Sequence, residues 1–422
     1  MGLPLRVSVL QKADRVVFVP VCFLLTRLRK LRPELPPEQP PKPRRIVIVK
    51  LAEQGSTVLA NNAIRRAVEM VGRDNVYFAA FEENRFIVDV LDLIPRGNVL
   101  TVPTTSLAAM FFGTMRMLLS MRRLRIDAAV DLEFLARFSA AITYLSGARI
   151  RVGMHCYFEE GPYRGDLMTH RVLFNPQLHT SEMFQVMVEA LGFAPKDFPA
   201  FNLKLKIGTA EEPVFSPRLE EVKEVEQVIL ALTGNSQIPP LILLNPNASD
   251  FLPLRRWSLA SYYELAKGLL PRFPEAYIAF TGLASEAGPS GELVKQLDSA
   301  RCFSMAGRTT LRQLLVLYTL ARVLVTNDSG PAHFATLTPI QVVSLFGPET
   351  PKLFAARSPR TRVVYAGIAC SPCINALNNR QSACRNNLCM QTIGVPEVLA
   401  EVSAAYRKAS ERFSVRDFRA SA

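Results

Sequence analysis

The sequence has too few cysteines for a disulfide-rich protein, and it lacks the patterns that are typical of nucleic-acid-binding proteins. Seven cysteines in 422 residues do not make a disulfide scaffold, and their odd number argues against complete pairing. We therefore expect reduced thiols and a cytoplasmic protein. The chain also lacks interleaved arginines and aromatic residues, a helix-turn-helix pattern and zinc-finger spacing. We accordingly expect no nucleic-acid partner.

The front of the chain lacks an apolar run long enough to cross a bilayer. Residues 16–25 are apolar, but a spanning helix needs about 20 such residues. The run has the shape of a signal peptide, yet basic residues follow it where a small-residue cleavage site would stand. Residues 1–32 are predicted to form a basic amphipathic segment, peripherally associated with the anionic surface of the inner membrane. The alternative is a terminal helix packed on the body of the protein.

Positive charge exceeds negative charge and is concentrated at the front. Fifty Lys and Arg residues against 37 acids give a net charge of +13, which suits an anionic partner such as a membrane surface or a phosphorylated substrate. Residues 1–45 contain ten of the basic residues and only three acids, so +7 of the charge lies there. Six prolines in residues 33–43 predict an extended linker, and the folded protein is expected to begin near Arg44.

The rest of the chain alternates apolar strand-like runs with helical segments. Residues 46–49 are apolar and β-branched, which is typical of a strand buried on both faces of a parallel sheet. The same reasoning predicts strands at 75–80, 98–102 and 126–132, and then at 241–245, 277–282, 302–307, 323–328 and 340–347. Alternating strands and helices indicate a parallel sheet covered on both faces.

This alternation occurs twice and predicts an α/β protein with two doubly wound domains facing each other across a cleft. Ligands of such open sheets bind at the carboxyl ends of the strands, and three polar turns follow strands of the second half. The predicted parts are the front segment 1–32, the linker 33–43, a first domain 44–207, a connection 208–238, a second domain 239–400 and a C-terminal helix or tail 401–422.

Several motifs resemble those of a known family. They are NPNASDFLPLRRWSLASYYELAKGL at 245–269, FTG…E at 280–286, AGRTTLRQLLVLYTLARVLVTNDSGPAHFAT at 306–336, SLFGPETP at 344–351 and VKLAEQGSTVLANNAIRRA at 49–67. Together they resemble glycosyltransferase family nine, whose best-known members are ADP-heptose:lipopolysaccharide heptosyltransferases. The resemblance implies a GT-B fold of two Rossmann-like domains, the second holding the nucleotide sugar and the first the acceptor. It also implies inversion at the anomeric carbon without an obligatory metal.

The turn after the strand at 323–328 is the best predicted site for a diphosphate. Gly330 permits close backbone approach, Ser329 offers a hydroxyl, and the following helix N-terminus favours negative charge. By analogy with the family, Asp328 would bind the nucleotide sugar, and His333 would reach the sugar or phosphate; the alternative for His333 is a packed histidine. The competing interpretation is that Asp328 and Ser329 only cap a helix.

Two adjacent arginines precede Trp257 in a loop that follows a strand. Guanidinium groups bind diphosphate bidentately and stabilise it as a leaving group. Arg255 matches the family's basic phosphate contact and is favoured over Arg256; the alternative is a solvated charge pair. Further nucleotide-sugar contacts are predicted at Asn247, Ser249, Gly282 and Glu286.

The catalytic base departs from the family's pattern. In the heptosyltransferases an acid directly follows the glycine of the first strand-to-helix turn, but here Ser56 follows Gly55. A serine is no base at neutral pH, so Glu53 in the same turn is predicted to take that role. The alternatives are that Glu53 is an exposed loop acid and the protein uses another base, or has none.

Two further segments carry chemically interesting residues. Residues 151–184 are expected to face the acceptor, through side chains that are individually more often structural: Arg164, Asp166, His170 and His179. Four thiols in the C-terminal part have the spacing C-x2-C-x10-C-x4-C, at Cys370, Cys373, Cys384 and Cys389. They are open to three interpretations: a structural zinc site, redox-sensitive pairs, or small buried residues.

The function expected from the sequence is an inverting, metal-independent glycosyltransferase. It would move a sugar such as heptose from ADP-heptose to a lipid-linked glycan such as the lipopolysaccharide core. One alternative is a binding or scaffold protein of envelope glycan assembly that kept the nucleotide-sugar pocket and lost catalysis. A dehydrogenase is disfavoured, because G-x-G-x-x-G does not follow the first strand.

Overall fold

The computed structural model describes residues 7–31, 40, 42–155, 162–204, 215–248, 252–378 and 380–420, and for residues 7, 8 and 412–420 it describes the backbone only. The chain forms two compact units. The first unit is Met1–Ala210 with the short segment Asn375–Gln381, and the second is Glu211–Ile374 with Ser382–Ala422.

The first unit is built on a parallel sheet of six strands. Its strands are β1 Ile46–Val49, β2 Val76–Phe81, β3 Val99–Val102, β4 Ala128–Asp131, β5 Ile150–His155 and β6 His170–Leu173. They lie in the order β3-β2-β1-β4-β5-β6, and every pairing is parallel. This is the Rossmann order, in which the winding direction changes between β1 and β4.

Helices cover the faces of this sheet. They are α1 Val7–Val16, α2 Phe18–Leu31, α3 Gln54–Leu59, α4 Asn61–Val71, α5 Arg85–Leu91, α6 Leu107–Arg123, α7 Arg137–Leu145 and α8 Thr180–Glu189. The helical segment that follows β1 is divided at Ala60 into α3 and α4. β5 and β6 lie in the segment that the sequence suggested as facing the acceptor, so part of that segment belongs to the sheet.

The second unit repeats the same winding. Its strands are β7 Leu241–Asn245, β8 Tyr277–Phe280, β9 Cys302–Ser304, β10 Val323–Asn327, β11 Gln341–Phe346 and β12 Thr361–Tyr365, in the order β12-β11-β10-β7-β8-β9. β9 ends at Ser304, earlier than expected, and the turn that follows it contains Gly307 with a positive φ of 72°. The direction changes between β7 and β10.

The helices of the second unit include a long C-terminal one. They are α9 Leu219–Thr233, α10 Leu259–Arg272, α11 Ala287–Leu297, α12 Leu311–Leu320, α13 Gly330–Ala335, α14 Pro351–Phe354, α15 Leu388–Gln391 and α16 Val395–Ala420. Val402 and Tyr406 of α16 are buried in the same apolar cluster as Trp257 and Leu265. The two Rossmann-like units are those of the GT-B class, and this confirms the expected fold class.

The front segment forms two helices packed on the first unit. Cys22 and Leu25 of α2 are buried against α7, and Asp14 of α1 accepts hydrogen bonds from the backbone N–H groups of Arg137 and Phe138 at the start of α7. The segment therefore packs on the body of the protein, as in the alternative, and its association with a membrane surface stays a prediction. Within the described part of the chain, the helices are too short or too polar to span a membrane.

Candidate functional site

Asn327 joins the two loops at the point where the second sheet changes direction. Its Nδ2 donates to the carbonyl oxygens of Pro246 at 3.0 Å and Asn247 at 3.2 Å, and its Oδ1 accepts from the backbone N–H of Trp257 at 3.1 Å. The loop after β7 is thereby fixed to the end of β10. Such a switch point is where open α/β sheets bind their ligands.

Arg255 lies between two buried carboxylates at this place. Its Nε is 3.3 Å from Oδ2 of Asp328, and its terminal nitrogen forms an ion pair with Glu349. The Arg255 side chain is 13% exposed, against 5% for Asp328 and 2% for Glu349. Asp328 is the residue after β10, and Glu349 lies three residues after β11. One cation and two acids therefore share a site that is almost closed to water.

Burial raises the pKa of both carboxyl groups in this cluster, and Arg255 partly offsets that rise. The pKa of Glu349 rises to about 8, helped by the nearby charge of Asp328. Two adjacent carboxylates out of water resist carrying two negative charges together. At neutral pH the pair consequently retains a proton, and one negative charge is balanced by the guanidinium.

Gly282 brings Asn247 and Glu286 together beside this cluster. A Cβ at Gly282 would lie 2.5 Å from Nδ2 of Asn247 and 2.8 Å from Oε2 of Glu286, so any larger residue would displace the ends of these two side chains. Nδ2 of Asn247 donates to the carbonyl of Thr281 at 3.2 Å. Oε2 of Glu286 accepts from the backbone N–H of Leu283 at 2.6 Å. The structure thus places these three predicted nucleotide contacts side by side.

The residues after Asp328 do not form a side-chain cap. Ser329 is the N-cap of α13, but its hydroxyl donates back to the carbonyl of Asn327 at 3.1 Å instead of capping the helix. Gly330 begins the helix, where a Cβ would meet the ring of Phe334 at 3.2 Å. His333 is buried within it. The cap that competed with the diphosphate interpretation is therefore not made by the Ser329 side chain.

Two other predicted contacts lie apart from the cluster or outside the described residues. The guanidinium of Arg256 donates to the carbonyl of Ala248 at 2.8 and 3.3 Å, so it braces the loop. Ser249 falls in a stretch that the structure does not describe.

The first unit has a charged cluster at its own switch point, after β1 and β4. Lys50 is fully buried, and its Nζ lies 3.1 Å from both carboxylate oxygens of Glu133. Burial lowers the pKa of Lys50, and Glu133 opposes that change. Glu133 also accepts from the backbone N–H of Ala52 at 2.8 Å. These contacts fix the start of the turn that carries the predicted base.

Glu53 occupies a strained position in this turn. Its φ is +66°, in the left-handed region that costs a non-glycine residue about 1 kcal/mol or more. The carboxylate is 37% exposed and forms an ion pair with Arg380 of the segment Asn375–Gln381. The hydroxyl of Ser56 donates to the Glu53 carbonyl at 2.9 Å and lies 3.3 Å from its Oε2. Glu53 and Ser56 therefore lie together, with Arg380 beside the acid.

Comparison with known proteins assigns the chain to a family. The sequence profile of glycosyltransferase family 9 (heptosyltransferase) matches residues 115–383, more than half of the chain. The chain belongs to glycosyltransferase family 9. It is 29% identical over 215 residues to lipopolysaccharide heptosyltransferase 2 of Salmonella typhimurium, covering 48% of this chain and 57% of the relative. It is 28% identical over 252 residues to the Escherichia coli protein of the same name, and this match covers 58% of this chain and 66% of the relative. The chain thus spans about three fifths of these relatives' length in the match.

Solved structures of family 9 members have the same fold. The ADP-heptose lipopolysaccharide heptosyltransferase II of Escherichia coli superposes with a TM-score of 0.63 at 20% identity, over 87% of this chain and 99% of that one. A family 9 glycosyltransferase from Veillonella parvula superposes with a TM-score of 0.65 at 16% identity, over 86% of this chain and 97% of that one. At these low sequence identities, the structural similarity establishes the fold and nothing beyond it.

In this family 9 chain, the residues singled out between 151 and 184 serve the structure. Arg164 forms a buried ion pair with Asp131, and Asp166 forms ion pairs with Arg29 and Arg171. Burial lowers the pKa of His170 to about 4, and its Nε2 lies 3.0 Å from the carbonyl of Phe193. His179 caps α8.

The four C-terminal cysteines differ in environment. Cys370 and Cys384 are exposed, Cys373 is half-buried and Cys389 is buried. Within the described residues, no three His, Cys, Asp or Glu side chains are grouped closely enough to hold one metal ion. The thiols as placed therefore do not form a tetrahedral ligand set, and the zinc interpretation stays a prediction.

Sequence reasoning missed Glu349, Glu133 and Arg380. Glu349 lies in the quoted stretch SLFGPETP, directly after FGP, and the signal available was an acid at the carboxyl end of a buried strand. Glu133 follows β4 in the same way. Arg380 had no such signal, because its partner Glu53 lies at the other end of the chain.

Proposed function

We propose that this chain is an inverting glycosyltransferase that moves heptose from ADP-heptose to a lipid-linked glycan of the lipopolysaccharide-core type. The observation that carries the proposal is the buried cluster of Arg255, Asp328 and Glu349 at the switch point of the second unit. Family membership and the similarity to lipopolysaccharide heptosyltransferases support the donor and the acceptor class.

The second unit would hold the donor. Arg255 would contact the diphosphate, which gains charge as the bond to the anomeric carbon breaks. Backbone N–H groups at Ser329 and Gly330 would add hydrogen bonds. Asn247 and Glu286 would bind the nucleoside, where a carboxylate accepts from ribose hydroxyls. In this proposal a fixed guanidinium stabilises the leaving group, so the transfer requires no metal ion.

Glu53 of the first unit would be the base. It would accept the proton of the acceptor hydroxyl while that oxygen forms its bond to the anomeric carbon and the diphosphate departs. A single displacement of this kind inverts the anomeric configuration. Two observations support the assignment: the backbone of Glu53 is strained, and its carboxylate forms an ion pair with Arg380. A strained conformation persists only where the surrounding structure holds it. The carboxylate is therefore held in one place, as a positioned base must be.

The protein would work at the cytoplasmic face of the inner membrane, where a lipid-linked acceptor is presented. α1 and α2 contain five basic residues and one acid, and Asp14, that acid, is engaged by the start of α7. The excess positive charge on these helices suits an anionic leaflet.

Thermal stabilisation tests the donor site without knowledge of the acceptor, since a ligand that binds only the folded state raises Tm. A panel of nucleoside diphosphates and sugar nucleotides should give its largest shift with ADP or ADP-heptose. The shift should vanish in Arg255→Ala and Asp328→Ala and persist in Arg272→Ala, an exposed arginine of the same unit. The absence of any nucleotide shift in the unmodified protein would overturn the proposal.

Acceptor-dependent release of ADP tests the base. Glu53→Gln should lower kcat by about 10²- to 10⁴-fold, whereas Glu82→Gln, an exposed acid nearby, should leave it unchanged. Ser56→Asp places an acid where the resemblance expects one, so the double variant Glu53→Gln/Ser56→Asp should recover activity. Near-normal turnover of Glu53→Gln would remove Glu53 from this role.

The cysteine cluster needs its own test. Elemental analysis of the purified protein should find near-stoichiometric zinc if Cys370, Cys373, Cys384 and Cys389 hold a structural ion. Protein that folds and binds nucleotide without zinc would exclude the metal interpretation.

A further inference from the structure

Exposed apolar side chains are concentrated on three helices of the first unit. Of the 20 large hydrophobic residues that are exposed in the described part of the chain, 12 lie on α1, α2, the residue between them and α6. The other eight are scattered over loops and elements of both units. Single exposed hydrophobic residues need no explanation, but a concentration of this kind marks a binding surface.

α6 is apolar on the side that faces water as well as on the side that faces the sheet. Its inner face places Met110, Met117 and Met121 in the core. Its outer face exposes Phe111 at 59% and Phe112 at 70%. The remaining exposed apolar residues of this face follow at helical spacing: Leu107, Met115 and Leu119. An exposed apolar face of this kind marks a surface that a partner or a membrane covers.

The three helices cover the same face of the first sheet. The core residues of α6 and Ile142 of α7 belong to one cluster with Val47 and Tyr77 of the sheet, and Leu10 of α1 packs against that cluster. α2 packs on α7 through Cys22. The outward sides of α1, α2 and α6 therefore belong to one side of the unit, which we call the docking face.

Basic residues accompany the apolar ones on these helices. α6 contains Arg116, Arg122 and Arg123 and no acid. In α2, the guanidinium of Arg27 lies over the ring of Phe23 at 5.1 Å. Residues 7–31 and 107–123 together contain eight basic residues and a single acid, Asp14, so their net charge is +7.

We propose that the docking face seats the first unit on an anionic lipid bilayer, with Phe111 and Phe112 inserted at the level of the head groups. Apolar side chains flanked by Lys and Arg are what an interfacial helix presents to anionic lipid. A second copy of the chain is disfavoured as the occupant, because the helices of the two docking faces would each carry a net charge of +7 and would repel each other. The proposal extends the membrane-surface location of the proposed function and rests on it, since a lipid-linked acceptor lies at such a surface.

Vesicle sedimentation tests the docking face. Phosphatidylcholine vesicles with about 30 mol % phosphatidylglycerol should bind the full-length protein, and pure phosphatidylcholine should bind it at least tenfold more weakly. Phe111→Ser/Phe112→Ser should lower the partition coefficient at least tenfold while Tm stays unchanged, because both rings are already exposed. The control Leu219→Ser/Leu388→Ser removes two exposed leucines of the second unit and should bind as the unmodified protein does. Arg116→Gln should weaken binding to the anionic vesicles about fivefold.

Three results would overturn the proposal. They are no vesicle binding by the unmodified protein, unchanged binding by the phenylalanine variant, and a dimer in solution that the phenylalanine variant dissociates, which would identify a second copy as the occupant. The nucleotide-induced Tm shift, measured on the same samples, separates this proposal from the proposed transferase. If the protein keeps that shift but does not bind vesicles, only the docking-face proposal is refuted and the proposed transferase activity stands.

Discussion

Replacing Glu349 by glutamine tests whether the acid behind Arg255 makes donor binding dependent on pH. Burial raises the pKa of Glu349 to about 8, so the pair that it forms with Asp328 holds a proton at pH 7. As the pH rises through about 8 the pair loses that proton and gains a negative charge. The added charge opposes an anionic donor at Arg255, so the affinity of the unmodified protein should fall at alkaline pH. Glutamine does not ionise, and Glu349→Gln should keep its affinity.

The size of the effect follows from Coulomb's law. A carboxylate one guanidinium away from a bound phosphate is separated from it by about 7 Å, and at an effective dielectric of about 20 the repulsion is about 2 kcal/mol. That free energy corresponds to about 30-fold in Kd. The affinity of the unmodified protein should therefore decline toward a plateau about 30-fold weaker, whereas the Glu349→Gln curve should stay flat within about threefold.

Isothermal titration calorimetry with an ADP-sugar between about pH 7 and about pH 9.5 measures this dependence. A sugar nucleotide is preferable to free ADP, because its diphosphate has no terminal phosphate to titrate. Glu264→Gln makes the same substitution on the exposed side of α10 and should behave as the unmodified protein does. If Glu349→Gln loses affinity with pH as steeply as the unmodified protein, the reasoning from the buried pair is refuted.

Three further predictions concern other parts of the protein. Gly282→Ala should weaken the binding of ADP about tenfold in calorimetry and leave the binding of inorganic pyrophosphate unchanged, because the added methyl group displaces only the side chains that contact the nucleoside. Glu133→Gln leaves Lys50 buried without its carboxylate, so urea unfolding should show a loss of about 3 kcal/mol at neutral pH. Part of that loss should be regained at alkaline pH, because a lysine with a lowered pKa favours folding as pH rises. Maleimide labelling followed by mass spectrometry should spare Cys22 and Cys302, where burial raises the pKa of each thiol to about 11.

Local sequence predicted the central strands because those strands are buried on both faces. β1 and β10 are continuous apolar runs with β-branched residues, and their burial leaves no polar alternation to obscure them. β5 was missed because it contains Arg151 and Gly153. Arg151 is tolerated there because its guanidinium donates to the carbonyls of Ala148 at 2.7 Å and Leu167 at 2.9 Å. β12 was missed because an edge strand is half-exposed and mixes polar with apolar residues.

The sequence by itself determined which residues stand at the strand ends. Asn247, Gly282 and Asp328 each follow a strand that could be read from its apolar run, and parallel strands bring their carboxyl ends to one edge of a sheet. For the same reason the loop with Arg255 was expected at that edge.

Only the tertiary structure decided which side chains meet there. The contact of Arg255 with Glu349 and that of Glu53 with Arg380 join residues far apart in the chain, and sequence spacing carries no information about such pairs. The same holds for the front helices. Their composition predicted an amphipathic segment, whereas the depth of Cys22 against α7 and the exposure of Phe23 depend on packing between elements. Periodicity reports which face of a helix is apolar; what covers that face is determined by the fold as a whole.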